Sequence, residues 1–266
     1  MRSKLIDGLE VFKNKGYKKF EELFKLLAQG QSPEVLFITC CDSRIDPAKL
    51  TKTKPGDLFI HRNIGNIIPP YPIPCGEAAT IEYAVEELQV KEIIICGHSQ
   101  CGAMKGLLAS NLEQKRPSVA SWLEHAQQAL QVAGRDALET DAATTLRSVI
   151  ECNILTQIEN LKTYSIISEK LQRQEITIQG WYYEFETGKV FIYEETMKKF
   201  LPSEKFLNQA TQLKQQSPRE QTLDHTSSGD LGFFKSTPAE RAEEPAEKIT
   251  DSKDKDYTLS NQTLNM

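Results

Sequence analysis

Residues 93–102 read Ile-Ile-Ile-Cys-Gly-His-Ser-Gln-Cys-Gly. The opening apolar run has no polar alternation. It therefore suits a strand buried on both faces, as central strands of parallel sheets are. It ends in a cluster of reactive side chains, and a helical pattern starts at Gly102. A second run of this kind, Val35-Leu36-Phe37-Ile38-Thr39-Cys40-Cys41, ends in Asp42-Ser43-Arg44. Asp57 to Arg62 is a third, shorter strand candidate, followed by a proline-rich loop from Asn66 to Pro74. Gly76 to Leu88, 118–133 and 142–173 carry helical spacing. Ile176 to Tyr183 pairs with Lys189 to Tyr193 across the turn residues Glu186-Thr187-Gly188. Strands alternating with helices predict an α/β domain with a mostly parallel central sheet flanked by helices. Leu5, Leu9 and Phe12, then Phe20, Leu23, Phe24 and Leu27, predict an N-terminal helical arm that ends at the Gly30-Gln31-Ser32-Pro33 turn.

The 266 residues are 39% hydrophobic and 26% charged, with a net charge of -5. The pI is near 5.6 and the mean hydropathy -0.44. That balance excludes a general binder of nucleic acid or anionic membrane, since both need a basic surface. No apolar run approaches the roughly 18 residues of a spanning helix, and the charged N-terminus lacks a secretory apolar region. A cytoplasmic setting is expected. From Lys214 to Met266 only seven of 53 residues are Leu, Ile, Val or Phe, too few to build a core. The chain therefore divides into a catalytic domain over 1–205 and a polar, disordered tail over 206–266. The tail's one apolar cluster, Leu231-Gly232-Phe233-Phe234, could dock to a protein partner, and the alternative is a plain spacer.

Two strand ends concentrate the chemistry. Cys40, His98 and Cys101 on adjacent strand ends form a natural three-ligand zinc site, because thiolate and imidazole suit a borderline-soft ion. Three protein ligands leave a fourth position for water, as catalytic zinc requires. Strand alternation puts Asp42 on the face of Cys40, and Arg44 too if the backbone stays extended. Cys41 then points into packing on the other side. Cys96 reads as core, Cys152 lies on a helix, and Cys75 in the proline loop is a candidate for oxidation.

Cys40-x-Asp42-Ser43-Arg44 with His98-x-x-Cys101-Gly102 resembles the β-class carbonic anhydrase signature. His61-Arg62-Asn63-Ile64-Gly65-Asn66 is similar to that family's arginine–asparagine segment. Gly30-Gln31-Ser32-Pro33 looks most like the plant and cyanobacterial branch. The resemblance implies one Zn2+ per subunit on Cys40, His98 and Cys101, with Asp42 and Arg44 as the catalytic dyad. It implies that Gln31 hydrogen-bonds substrate, that Phe59, Ile64 and Tyr83 line a narrow apolar pocket, partly across a dimer interface, and that the Gly102 N–H faces the site. The implied reaction is reversible hydration of CO2 to bicarbonate and a proton by a zinc-bound hydroxide. The implied partners are CO2, bicarbonate and further copies of the chain, at least as a dimer. In a cyanobacterium the carboxysome is the implied destination. Two other readings keep the metal: a carbon disulfide or carbonyl sulfide hydrolase, and a zinc-containing scaffold or sensor with little turnover.

Overall fold

The computed structural model describes residues 2–138 and 141–206. From residue 207 onward the expected tail, with its apolar cluster, lies outside the described residues. Six strands form one mixed sheet in the order β2-β1-β3-β4-β5-β6. These are β1 (Val35–Cys40), β2 (Leu58–Asn63), β3 (Glu92–His98), β4 (Thr177–Glu184), β5 (Lys189–Glu194) and β6 (Lys199–Pro202). The first four in spatial order run parallel, and β5 and β6 close the other edge as antiparallel strands. The expected α/β class is the one observed. β6 was not anticipated, because four residues carrying Lys199 and Pro202 give almost no strand signal. A Pro is tolerated there because an edge strand need not use every ladder N–H.

The N-terminal arm comprises α1 (Arg2–Val11), a wider turn at Phe12–Gly16, α2 (Tyr17–Lys19) and α3 (Glu21–Leu27). Its rings pack on one another, Tyr17 against Phe24 at 5.6 Å. Leu5, Ile6, Leu9 and Phe12 all stay more than half exposed. After β1, α4 (Pro47–Thr51) is capped by the Asp46 side chain, which accepts from the Lys49 N–H. The remaining α-helices are α5 (Gly76–Glu82), α6 (Gly102–Leu107), α7 (Leu112–Lys115), α8 (Pro117–Leu123), α9 (Gln127–Leu138), α10 (Ala142–Lys162) and α11 (Ser165–Gln172), with a wider turn at Tyr83–Glu87 and a tighter one at Glu124–Ala126. The pattern over 142–173 predicted one helix. It is two, because Tyr164 leaves helical geometry and donates from its buried hydroxyl to the Pro69 carbonyl at 2.8 Å.

The core is unequal on the two faces of the sheet. One face buries Leu36, Ile38, Ile93 and Ile95 under α5, α6 and α10, while the smaller apolar cluster on the other consists, among the described residues, of Phe37, Ile45, Ile94 and Cys96. The α10 helix reaches the sheet where side chains are missing: a Cβ on Gly97 or Gly180 would meet the Ile154 side chain at 2.9 Å. Gly180→Val is therefore expected to cost about 1–3 kcal/mol through overpacking. Denaturant unfolding of the full chain checks this, and an unchanged midpoint would contradict it.

Candidate metal centre

The parallel ladder sets β1 beside β3, so Cys40 and His98 leave neighbouring strands at the same end of the sheet. Ligand sites of open α/β sheets lie at that end. Cys101 lies three residues after His98 and immediately precedes α6. One ligand atom each from Cys40, His98 and Cys101 lies within 4.8 Å of the others, and all three residues are buried. His98 Nδ1 lies 2.8 Å from the Ser99 carbonyl oxygen. A carbonyl can only accept, so Nδ1 carries the proton and Nε2 keeps its lone pair. That Nε2 is buried and has no hydrogen-bond partner. A buried acceptor left open is costly, and here it belongs to the same cluster as two sulfurs. This donor set fits zinc or another borderline-soft dication.

The two sulfurs titrate as a pair. The Cys101 thiol hydrogen bond holds Cys40 well below the usual thiol range, against the opposing effect of burial, with help from the Gly65 and Asp42 amides. The same contact and burial push Cys101 up. A bound dication displaces the shared proton, which is why such sites bind metal with proton release. Gly65 donates its N–H to Cys40 Sγ at 3.4 Å. It does so at a φ of 84°, where a Cβ would also crowd Ala103. Glycine is needed there for both reasons.

Asp42 and Arg44 do meet, but not by strand alternation. β1 stops at Cys40 and the chain turns, with Ile45 donating its N–H to the Asp42 carbonyl. The turn brings three donors of Arg44 onto one carboxylate. Its backbone N–H and Nε reach Oδ1 at 3.0 and 2.9 Å, and Nη2 reaches Oδ2 at 2.7 Å. These side-chain hydrogen bonds hold the Asp42 carboxyl far below the ordinary carboxylate range. The end of the strand also corrects the expectation for Cys41. Its side chain is exposed rather than packed, and it borders a small apolar cavity with Ile64, Val119 and Trp122.

The other expected site residues are distributed as follows. Gly102 opens α6 immediately after Cys101. Ile64 is 45% exposed, and its carbonyl accepts from the Trp122 ring N–H at 2.8 Å. Phe59 and Tyr83 pair with each other at 5.9 Å between ring centroids, with Tyr83 46% exposed. Gln31 is exposed and makes no hydrogen bond among the described residues. Cys96 is core, with its thiol pushed up to about 12 by burial.

One organising residue carried no assigned role in the sequence. Arg62 donates to the Cys40, Asp42 and Ile45 carbonyls at 3.1, 2.7 and 3.0 Å. It thereby fixes the whole turn that carries the first sulfur and the dyad. Its only advance signal was its place beside Asn63. Its partners lie at the end of β1 and in the turn beyond it, some 20 residues away in the chain, so no local pattern reports them.

The family model for carbonic anhydrase matches residues 35–190, which contain the triad, the dyad and the whole parallel sheet. The chain belongs to the β-class carbonic anhydrases. It is 46% identical over 197 residues to a carbonic anhydrase of Synechococcus elongatus, covering 73% of this chain and 72% of the relative. It is 41% identical over 207 residues to one of Synechocystis, covering 77% and 76%. Among solved structures, the β-carbonic anhydrase CcaA superposes with a TM-score of 0.73 at 40% identity, over 76% of this chain and 98% of that one. A tetrameric β-carbonic anhydrase from the fungus Sordaria macrospora gives 0.63 at 28% identity, over 71% and 95%. The cyanobacterial relatives agree with the branch that Gln31 suggested. No described helix of this carbonic anhydrase is long and apolar enough to cross a membrane.

Proposed function

We propose that this chain hydrates CO2 reversibly to bicarbonate and a proton, with one Zn2+ per subunit held by Cys40, His98 and Cys101. The observation that carries the reading is the unpartnered, buried His98 Nε2 grouped with two sulfurs, next to a carboxylate fixed by an arginine fork. Zinc, when bound, supplies the Lewis acidity that makes hydroxide available near neutral pH. Two thiolates donate charge and weaken that acidity, so the nucleophile needs help from the chain. Asp42 supplies it by accepting the nucleophile's hydrogen and aiming its lone pair at carbon. Oδ1 already serves two donors of Arg44, while Oδ2 serves one and keeps acceptor capacity. Arg44 holds the carboxylate in the fork, so that Asp42 would not serve as a fourth ligand in place of water.

The substrate pocket is assembled from Ile64, Phe59, Tyr83 and Gly102. Gln31 donates to the oxygen that gains charge as bicarbonate forms. The exposure of Gln31, Phe59's partner Tyr83 and the apolar stripe on α1 supports a homo-oligomer in which one copy completes the other's pocket. The same reading assigns a cytoplasmic setting and, in a cyanobacterial host, the carboxysome, with residues 206–266 as the segment that would recruit a partner there.

The deciding experiment is stopped-flow CO2 hydration at alkaline pH on zinc-verified, reduced protein. A kcat/KM of about 10⁵ M⁻¹s⁻¹ or more is expected. Undetectable hydration with one zinc per chain would overturn the reading. Carbonyl sulfide run in parallel separates a sulfur-substrate hydrolase from a silent scaffold.

A further inference from the structure

The β4–β5 hairpin reaches the metal centre from a distant part of the chain. Phe185, just beyond β4, lies with its ring nearly parallel to the His98 imidazole, 4.9 Å between centroids and 28° between planes. The Arg44 guanidinium carbon sits 4.6 Å from the centroid of the same ring. One aromatic residue therefore touches both a candidate zinc ligand and the arginine of the dyad. Its backbone is anchored as well. The Phe185 N–H donates to Ser99 Oγ at 2.9 Å, and that hydroxyl donates to Glu186 at 2.7 Å. The Ser99 N–H donates to the Tyr183 carbonyl at 2.8 Å. Ser99 is also the residue whose carbonyl fixes the His98 tautomer. Tyr183 meets the Phe185 ring in a T-shaped contact, 5.2 Å between centroids.

We infer that Phe185 is a positioning residue: its aromatic ring ties the His98 imidazole and the Arg44 guanidinium into one rigid unit, so the hairpin sets the metal ligand and the dyad together. The physical argument is one of geometry and charge. Arg44 is half exposed, and its guanidinium is held on its polar edge by the Asp42 fork and a 3.3 Å bond from Nη2 to the Gln100 carbonyl, which leaves its face to be covered. A π-face beneath a guanidinium supplies attraction that an aliphatic group of equal bulk lacks. On the other side, an imidazole whose ring plane is stacked loses torsional freedom before it meets a metal, which raises affinity through preorganisation. Second-layer contacts to a metal-bound histidine typically change metal affinity by about 10–100-fold.

The inference rests on the reading above, and its test has an arm that does not use CO2. Phe185→Leu and Phe185→Tyr are compared with wild type as the full-length, zinc-loaded protein. Two quantities are read: the rate of zinc release to excess chelator, and kcat/KM for hydration. Phe185→Leu is expected to release zinc about fivefold faster or more and to lower kcat/KM by a similar factor. Phe185→Tyr, which keeps the π-face, is expected to stay within about twofold of wild type in both. If leucine lowers the yield of folded protein, Phe185→Met fills the volume without a π-face. A leucine or methionine variant within twofold of wild type in both quantities overturns the inference. So does a defect that tyrosine fails to rescue, or a change in only one of the two quantities. Absence of hydration in the wild type would sink the proposed function, while zinc release would still decide the His98 arm.

Discussion

Asp42→Asn is expected to lower kcat/KM for CO2 hydration by about 10²-fold or more, with zinc content unchanged. The size follows from the geometry of the fork. Asp42 takes three hydrogen bonds from Arg44 across both oxygens. An asparagine amide has one oxygen and one NH2 group. If the oxygen faces Nε and the backbone N–H, the NH2 group confronts Nη2, donor against donor. The side chain then also offers a donor where the reacting hydroxyl needs an acceptor. If the amide flips, two Arg44 donors lose their acceptor. Either way, acceptor capacity at the nucleophile and the charge-assisted clamp fail together. Stopped-flow hydration on metal-verified protein reads the loss. A variant retaining more than a tenth of wild-type kcat/KM would show that the carboxylate does not act on the nucleophile.

Cys101→Ala should cause an equally large loss by a different route. Apparent zinc affinity of about 10–16 kcal/mol in four-ligand sites is roughly 3 kcal/mol per ligand, so removing one costs about 10²-fold in affinity. The alanine also removes the thiol that holds Cys40 in its thiolate form, so the remaining sulfur becomes a poorer ligand at neutral pH. Metal content after dialysis against a competing chelator should fall well below one per chain, and hydration should fall with it. The fold should survive, because Cys101 is one small buried side chain in a large apolar cluster. Near-wild-type zinc retention would place the metal elsewhere.

The contrast between these residues and the hairpin shows what a linear reading can reach. Cys40, His98, Cys101, Asp42 and Arg44 were legible because strand ends collect functional groups and each cluster lies within five residues of chain. The buried runs at 35–40 and 93–97 announced a parallel sheet, because strands covered on both faces need no polar alternation. Period-two reasoning failed one residue beyond the last ladder pair. Cys41 turned outward, and Arg44 reached Asp42 through a turn, since alternation is a property of paired extended backbone and ends with it. The break at Tyr164 was invisible for a related reason: its hydroxyl bonds Pro69, 95 residues away.

By itself, the sequence determined the class of sheet, the candidate donor residues and the acid–arginine pair, because those are set by local periodicity and by side-chain chemistry. Only the tertiary structure decided that His98 Nε2 is open, that Arg62 braces the first turn and that the Phe185 ring lies against both His98 and Arg44. Those facts depend on strands β1, β2, β3 and the β4–β5 hairpin arriving side by side. Contacts between segments distant along the chain leave no period in it, since they are selected by packing of the whole sheet rather than by the spacing of neighbours.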